Sequence, residues 1–152
     1  MDFLAGLHPR IVHFPIALFI LYFLFELLGA VSKKDSFSFT AFVLLVLGII
    51  SAIAAVLTGN QAATVAQAAL NNNQSLKDSI ELHQDYATAV LWFFLGVLVL
   101  RLYFVLKKKF DRKMKLVFIA LSLIGCYLIY MAGSIGGDLV FKYGIGTQIF
   151  GK

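Results

Sequence analysis

Charge and cysteine are the scarce ingredients of this sequence. Only 14% of its 152 residues are charged, against 61% hydrophobic, and there is one cysteine. A soluble domain of this length cannot hide that much apolar surface, which excludes an ordinary globular fold. The lone Cys126 cannot close an intrachain disulfide, sits in an apolar run and says nothing about redox compartment. Also missing are a Cys-x-x-Cys pair, a nucleophile elbow, a phosphate-cradling glycine loop and any HxxxH or HExxH spacing. Ser and Thr have no convincing acid–base companions, so a hydrolase reading is weak. No small-x-small site follows the first apolar run and no basic residue precedes Arg10, so the N-terminus does not read as a cleavable signal.

What the chain has is length in its apolar runs. A hydrocarbon core takes about 20 apolar residues in a helix. Four stretches qualify: 11–31, 39–57, 87–106 and 116–132. There is room for one domain, 1–152, and no separate soluble module. The expected fold class is an all-α transmembrane four-helix bundle with protruding helix ends and a Gly-rich C-terminal loop. The net charge of +5 invites a nucleic-acid reading. Most of the basic residues lie at helix ends, however, where membrane topology accounts for them. Lys33, Lys34, Lys107, Lys108, Lys109, Arg112, Lys113 and Lys115 lie in the two short connections. Only Arg10, Lys77, Lys142 and Lys152 lie on the other side. This bias places the short loops in the cytoplasm, and both termini and the long connection 58–86 outside a bacterial inner membrane.

The long connection carries helix signals. Residues 61–70 are Ala-rich and extend the second helix beyond the membrane. Asn71, Asn72 and Asn73 break it, and Ser75 followed by Asp78 reads as a capping box. The third helix is then expected from Leu76 to about Lys108, roughly 50 Å at 1.5 Å per residue, so that two helices protrude as a hairpin. Gly133, Gly136, Gly137, Gly144, Gly146 and Gly151 make the tail Gly-rich, and it is expected to end the fourth helix and fold as a loop. No solenoid-type repeat is present.

Topology collects the three histidines, His8, His13 and His83, at one end. Leu76, Ile80, His83, Ala87, Val90 and Phe94 form an apolar helical stripe, whereas Asp78, Glu81 and Asp85 form another. His83 therefore points inward and the acids meet water. A histidine directed into a bundle needs a partner. Three readings follow. His13 and His83 are axial ligands of haem b, with Arg10 pairing a propionate. Alternatively His8, His13 and His83, with Glu81 or Asp138, bind a zinc, copper or iron ion. Or the imidazoles only hydrogen-bond to the backbone and to each other. Glu26 and Arg101 are the charges well inside spans, at matching depth about 9 Å from the short loops, which predicts a structural ion pair. Small-residue stripes, Gly48–Ala52–Ala55–Gly59 and Ser122–Gly125–Ala132–Gly133–Gly136, suit close helix approach in lipid.

The run His8-Pro9-Arg10-Ile11-Val12-His13-Phe14-Pro15, with Thr58-Gly59, His83, Gly136-Gly137-Asp138-Leu139-Val140-Phe141 and Tyr143-Gly144-Ile145-Gly146, resembles an uncharacterised bacterial family of predicted four-span membrane proteins, domain-of-unknown-function family 2231. The resemblance covers nearly the whole chain. It carries no assigned activity, and it implies companionship with redox and cytochrome proteins only by analogy. Together these observations lead to an expected membrane-bound haem b electron-transfer or redox-sensing protein. It would sit in lipid, in a redox complex or homo-oligomer, and would not be an enzyme by itself. A structural or assembly subunit, or a metal-ion protein, stands as the alternative.

The orientation has a direct check. A cysteine placed at Asn72 is expected to react with an impermeant thiol reagent outside spheroplasts, and one at Ser36 is not. The reverse pattern overturns the topology.

Overall fold

A computed structural model describes residues 2–32, 34–70 and 73–146 of the chain. Lys33, Asn71, Asn72, Gly151 and Lys152, named above in the loops and tail, lie outside the described residues. The described elements are five helices: α1 (Asp2–Ile11), α2 (His13–Val31), α3 (Asp35–Ala69), α4 (Gln74–Leu106) and α5 (Arg112–Phe141). Helices α1 and α2 are one span interrupted at Val12, so four helices are long and apolar enough to cross a membrane. The interruption has a local cause. Pro15 cannot donate to the Ile11 carbonyl and Pro9 cannot donate to that of Ala5, so the helical ladder loses rungs on both sides of Val12. The Val12 N–H still reaches the His8 carbonyl at 3.1 Å, which keeps the two pieces nearly continuous.

The helices run longer than the apolar runs alone indicate. α3 spans 35 residues and α4 33, so both rise well past a bilayer core of about 30 Å. Beyond the membrane their ends pack around Ala63, Leu76, Ile80 and Leu139. Two local expectations are corrected. α4 starts at Gln74 with Asn73 as its cap, the Asn73 side chain accepting from the Leu76 N–H at 3.2 Å. The capping box expected at Ser75 does not form, because Asn73 takes that role a residue pair earlier and Asp78 is held by Gln74 at 2.8 Å. The fourth helix does not end at Gly133. It passes through Gly133, Gly136 and Gly137 to Phe141, because glycine without a following proline does not break a helix that neighbours hold. The chain turns only afterwards, with Gly144 and Gly146 at φ of 66° and 78°, left-handed values that favour glycine.

Around the bundle, α2 packs on α3, α3 on α4, α4 on α5 and α5 on α2. α2 and α4 stand diagonally and meet through side chains. The Phe19 and Phe94 rings stack at 3.7 Å with planes 4° apart. Both rings are fully buried, and each sits against a glycine of the neighbouring helix. A Cβ on Gly48 would lie 2.6 Å from the Phe19 ring, and one on Gly125 would lie 2.3 Å from the Phe94 ring. Gly48 and Gly125 of the small-residue stripes thus seat large rings. Leu106, Trp92, Tyr130 and Phe14 are among the large residues facing outward, as expected of a lipid-covered surface.

Near the lysine-rich loops the diagonal contact becomes ionic. Glu26 of α2 and Arg101 of α4, each 1% exposed, form an ion pair. Arg101 Nη2 also donates to the Ser38 carbonyl at 2.7 Å and to Ser38 Oγ at 3.1 Å. The guanidinium centre lies 4.9 Å from the Phe110 ring centre and 5.7 Å from that of Phe118, favourable cation–π distances. Arg suits this place because its planar fork bonds the carboxylate and carbonyl edgewise while its faces lie on rings. At the loops, Lys115 reaches Asp35 at 3.7 Å, and Asp111 caps α5 through the Met114 N–H at 3.0 Å.

Removing one partner of a buried pair leaves an uncompensated charge, at a cost of about 3–5 kcal/mol. Arg101→Leu is expected to destabilise the detergent-solubilised protein by that amount in denaturant unfolding, and Glu26→Leu likewise. The double variant is expected to recover most of the loss. Two additive losses would show that the charges do not act as a pair.

Candidate functional site

His8 and His83 meet at the far end of the same diagonal. Their ring centres lie 6.3 Å apart, with planes at 73°. His8 belongs to α1 and His83 to α4, and both are partly buried. His13 is elsewhere. It starts α2 on an exposed face, so the fold joins His83 with His8 and not with His13. His13 follows His8 by five residues, about 140° around a nearly continuous helix, and so lies on another face.

The sequence raised each neighbour of this pair, but not its job. His83 Nδ1 lies 3.1 Å from the Ala132 carbonyl. A carbonyl only accepts, so Nδ1 carries the proton. His8 Nδ1 lies 3.3 Å from Thr58 Oγ1. The Thr58 hydroxyl proton is already committed to the carbonyls of Ala54 at 2.8 Å and Ala55 at 3.1 Å, so Thr58 Oγ1 accepts from His8. Both neutral imidazoles are therefore held in the Nδ1–H tautomer. The Nε2 lone pair of each is turned to whatever lies beyond the ring. Among the described residues neither Nε2 makes a hydrogen bond.

Each imidazole also rests on a glycine. A Cβ on Gly59 would stand 2.8 Å from His8 Cε1, and one on Gly136 would stand 2.8 Å from His83 Cε1. The two glycines of the resemblance motifs thus admit the two rings, as Gly48 and Gly125 admit the two phenylalanines.

The other candidates stand apart. Arg10 is exposed, two residues from His8 on α1. Glu81 is exposed on α4. Asp138 is taken by Lys142, whose ammonium donates to it at 2.7 Å, and this hydrogen bond raises the lysine's pKa above the ordinary value. Among the described residues no three of His, Cys, Asp and Glu converge on one point. The chemistry on offer is therefore a pair of oriented imidazole nitrogens without a carboxylate. Gln84 and Asn60, bonded at 3.0 Å, tie α3 to α4 at this end.

The profile of the DUF2231 family, described as a predicted membrane protein, matches residues 5–149. No curated protein and no solved structure matches the chain.

The glycine contacts make a test. Alanine in place of a helical glycine ordinarily stabilises by about 1 kcal/mol. Gly96→Ala, where nothing lies within 4 Å, is expected to gain stability in thermal unfolding. Gly59→Ala and Gly136→Ala are expected to lose it, because an imidazole must move. Gains at all three would remove the close ring contact from the account.

Proposed function

The chain belongs to the DUF2231 family of predicted membrane proteins, and we propose that it is a membrane-bound haem b electron-transfer protein in which His8 and His83 would hold the haem. The observation that carries the proposal is the pair of imidazoles whose Nδ1 atoms lie 3.3 Å from Thr58 Oγ1 and 3.1 Å from the Ala132 carbonyl, while neither Nε2 has a hydrogen-bond partner among the described residues. Ligating histidines are regularly held this way, their second nitrogen donating to a carbonyl or similar acceptor. The two rings also lie close together, with centres 6.3 Å apart.

Two imidazoles suit haem better than a bare ion. A tetrahedral zinc needs four ligands, and the exposed Glu81 and the lysine-bound Asp138 do not complete a set. Haem asks less of the protein, and the two imidazoles of His8 and His83 would hold it. When bound, it supplies one-electron redox chemistry. The chain's own part is to orient both imidazoles through Thr58 and Ala132, to surround the site with apolar helix, and to offer Arg10 as a cation for an acidic edge group. The excess of basic residues at the opposite end supports placing this site on the outer face of a bacterial cytoplasmic membrane. Electrons would then pass to a partner redox protein there.

The purified protein is expected to show a Soret band that shifts on dithionite reduction. His8→Ala or His83→Ala is expected to abolish the low-spin spectrum, and His13→Ala to keep it. If His13→Ala removes the cofactor while His8→Ala keeps it, the ligand assignment fails. If no preparation holds or takes up haem, and elemental analysis finds zinc or copper, a metal-ion site replaces it. If it finds neither, the imidazoles act as helix ties.

A further inference from the structure

The diagonal contacts obey one arithmetic. His8 meets His83, Phe19 meets Phe94 and Glu26 meets Arg101. Each pair is separated by 75 residues in the sequence. The residues that receive them are also paired, at a separation of 77: Gly48 with Gly125 under the phenylalanines, and Gly59 with Gly136 under the histidines. The two-residue difference has a visible source. The loop between α2 and α3 is 32–34 and that between α4 and α5 is 107–111, longer by two.

Burial follows the same offsets. Pro15, Phe19, Tyr22 and Glu26 are buried on α2, and Val90, Phe94, Val97 and Arg101 on α4. Ala41, Leu45, Gly48 and Ala52 of α3 answer to Phe118, Ser122, Gly125 and Ile129 of α5, all buried. Packing is reciprocal, with α2 against α5 and α4 against α3. A residue that touches its own equivalent lies on a two-fold axis. Three such pairs, stacked from the histidine end to the lysine end, trace that axis along the bundle, the arrangement of parallel repeats in membrane proteins.

We infer that the chain is two tandem copies of one two-span hairpin, and that its histidine site is one half-site built twice across their axis. Each half-site is a histidine seated on a glycine and oriented by the carbonyl one turn before that glycine. In the second copy the acceptor is Ala132, four residues before Gly136, and the contact is direct. In the first copy the equivalent is Ala55, four residues before Gly59. Its carbonyl accepts from the Thr58 hydroxyl at 3.1 Å, and Thr58 Oγ1 lies 3.3 Å from His8 Nδ1. The second copy has Ile135 where the first has Thr58. Thr58 is thus an addition to the half-site and not its foundation. A site of this symmetry presents the same nitrogen from both sides, as a ligand with two equivalent faces requires. The inference does not depend on what that ligand is.

The test is imidazole ¹⁵N NMR on the full-length protein in detergent without added ligand. In Thr58→Ile and Thr58→Ala, the Ala55 carbonyl is expected to take the His8 Nδ1–H directly. His8 then keeps its Nδ1–H, Nε2-unprotonated signature and approaches the shifts of His83. A His8 that loses the Nδ1 proton in both variants, with His83 unchanged, overturns the equivalence. So does a chain that fails to fold with either residue, since the second copy carries isoleucine there. Failure of the haem proposal would show separately, as the absence of visible absorption in the unsubstituted protein.

Discussion

Everything in this bundle depends on how closely ring-bearing helices approach glycine-bearing ones. In lipid there is no hydrophobic drive to bring helices together, because the tails are as apolar as leucine. Association rests on packing and on a few polar contacts. α1, α2 and α4 carry rings inward, and α3 and α5 receive them at Gly48, Gly59, Gly125 and Gly136. The bundle therefore closes through four ring-on-glycine contacts. Two of these are phenylalanines, which fill the centre. The other two are histidines, and the same packing brings their ring centres to 6.3 Å with each Nδ1 against an acceptor. Fold and site are made by one device.

The ends of the axis differ in kind. At the lysine end, the axis holds a carboxylate and a guanidinium that satisfy each other, with the Ser38 carbonyl and a wall of rings taking the remaining faces of Arg101. Such a pair holds α2 to α4. At the histidine end, each imidazole is satisfied at one nitrogen only. Among the described residues neither Nε2 has a hydrogen-bond partner, which leaves both partly buried rings a nitrogen open to water or a ligand.

Much of this was legible in the sequence. Four apolar runs fixed the spans, because the bilayer tolerates little else of that length. Matching depth alone brought Glu26 to Arg101. The histidine end was also legible, as was the inward face of His83. Helical periodicity sets His8 and His13 on different faces but does not say which face meets His83, since that depends on how α1 and α2 seat on their neighbours. The end of α5 was hidden for a related reason. Glycine reads as a helix stop in water, yet in a membrane helix it marks a contact surface. The signal that would have found the histidine partner was present as a repeated interval. His8 to Phe19 and His83 to Phe94 are both eleven residues, as are Gly48 to Gly59 and Gly125 to Gly136.

The central claim is that two imidazoles, one from each half of the chain, are held ready for a single shared ligand. A titration of haem into the ligand-free protein in detergent, followed by visible absorption, tests it most directly. The account requires saturation at one haem per chain with a six-coordinate low-spin spectrum. A featureless titration, or a five-coordinate high-spin product with both histidines intact, would contradict it.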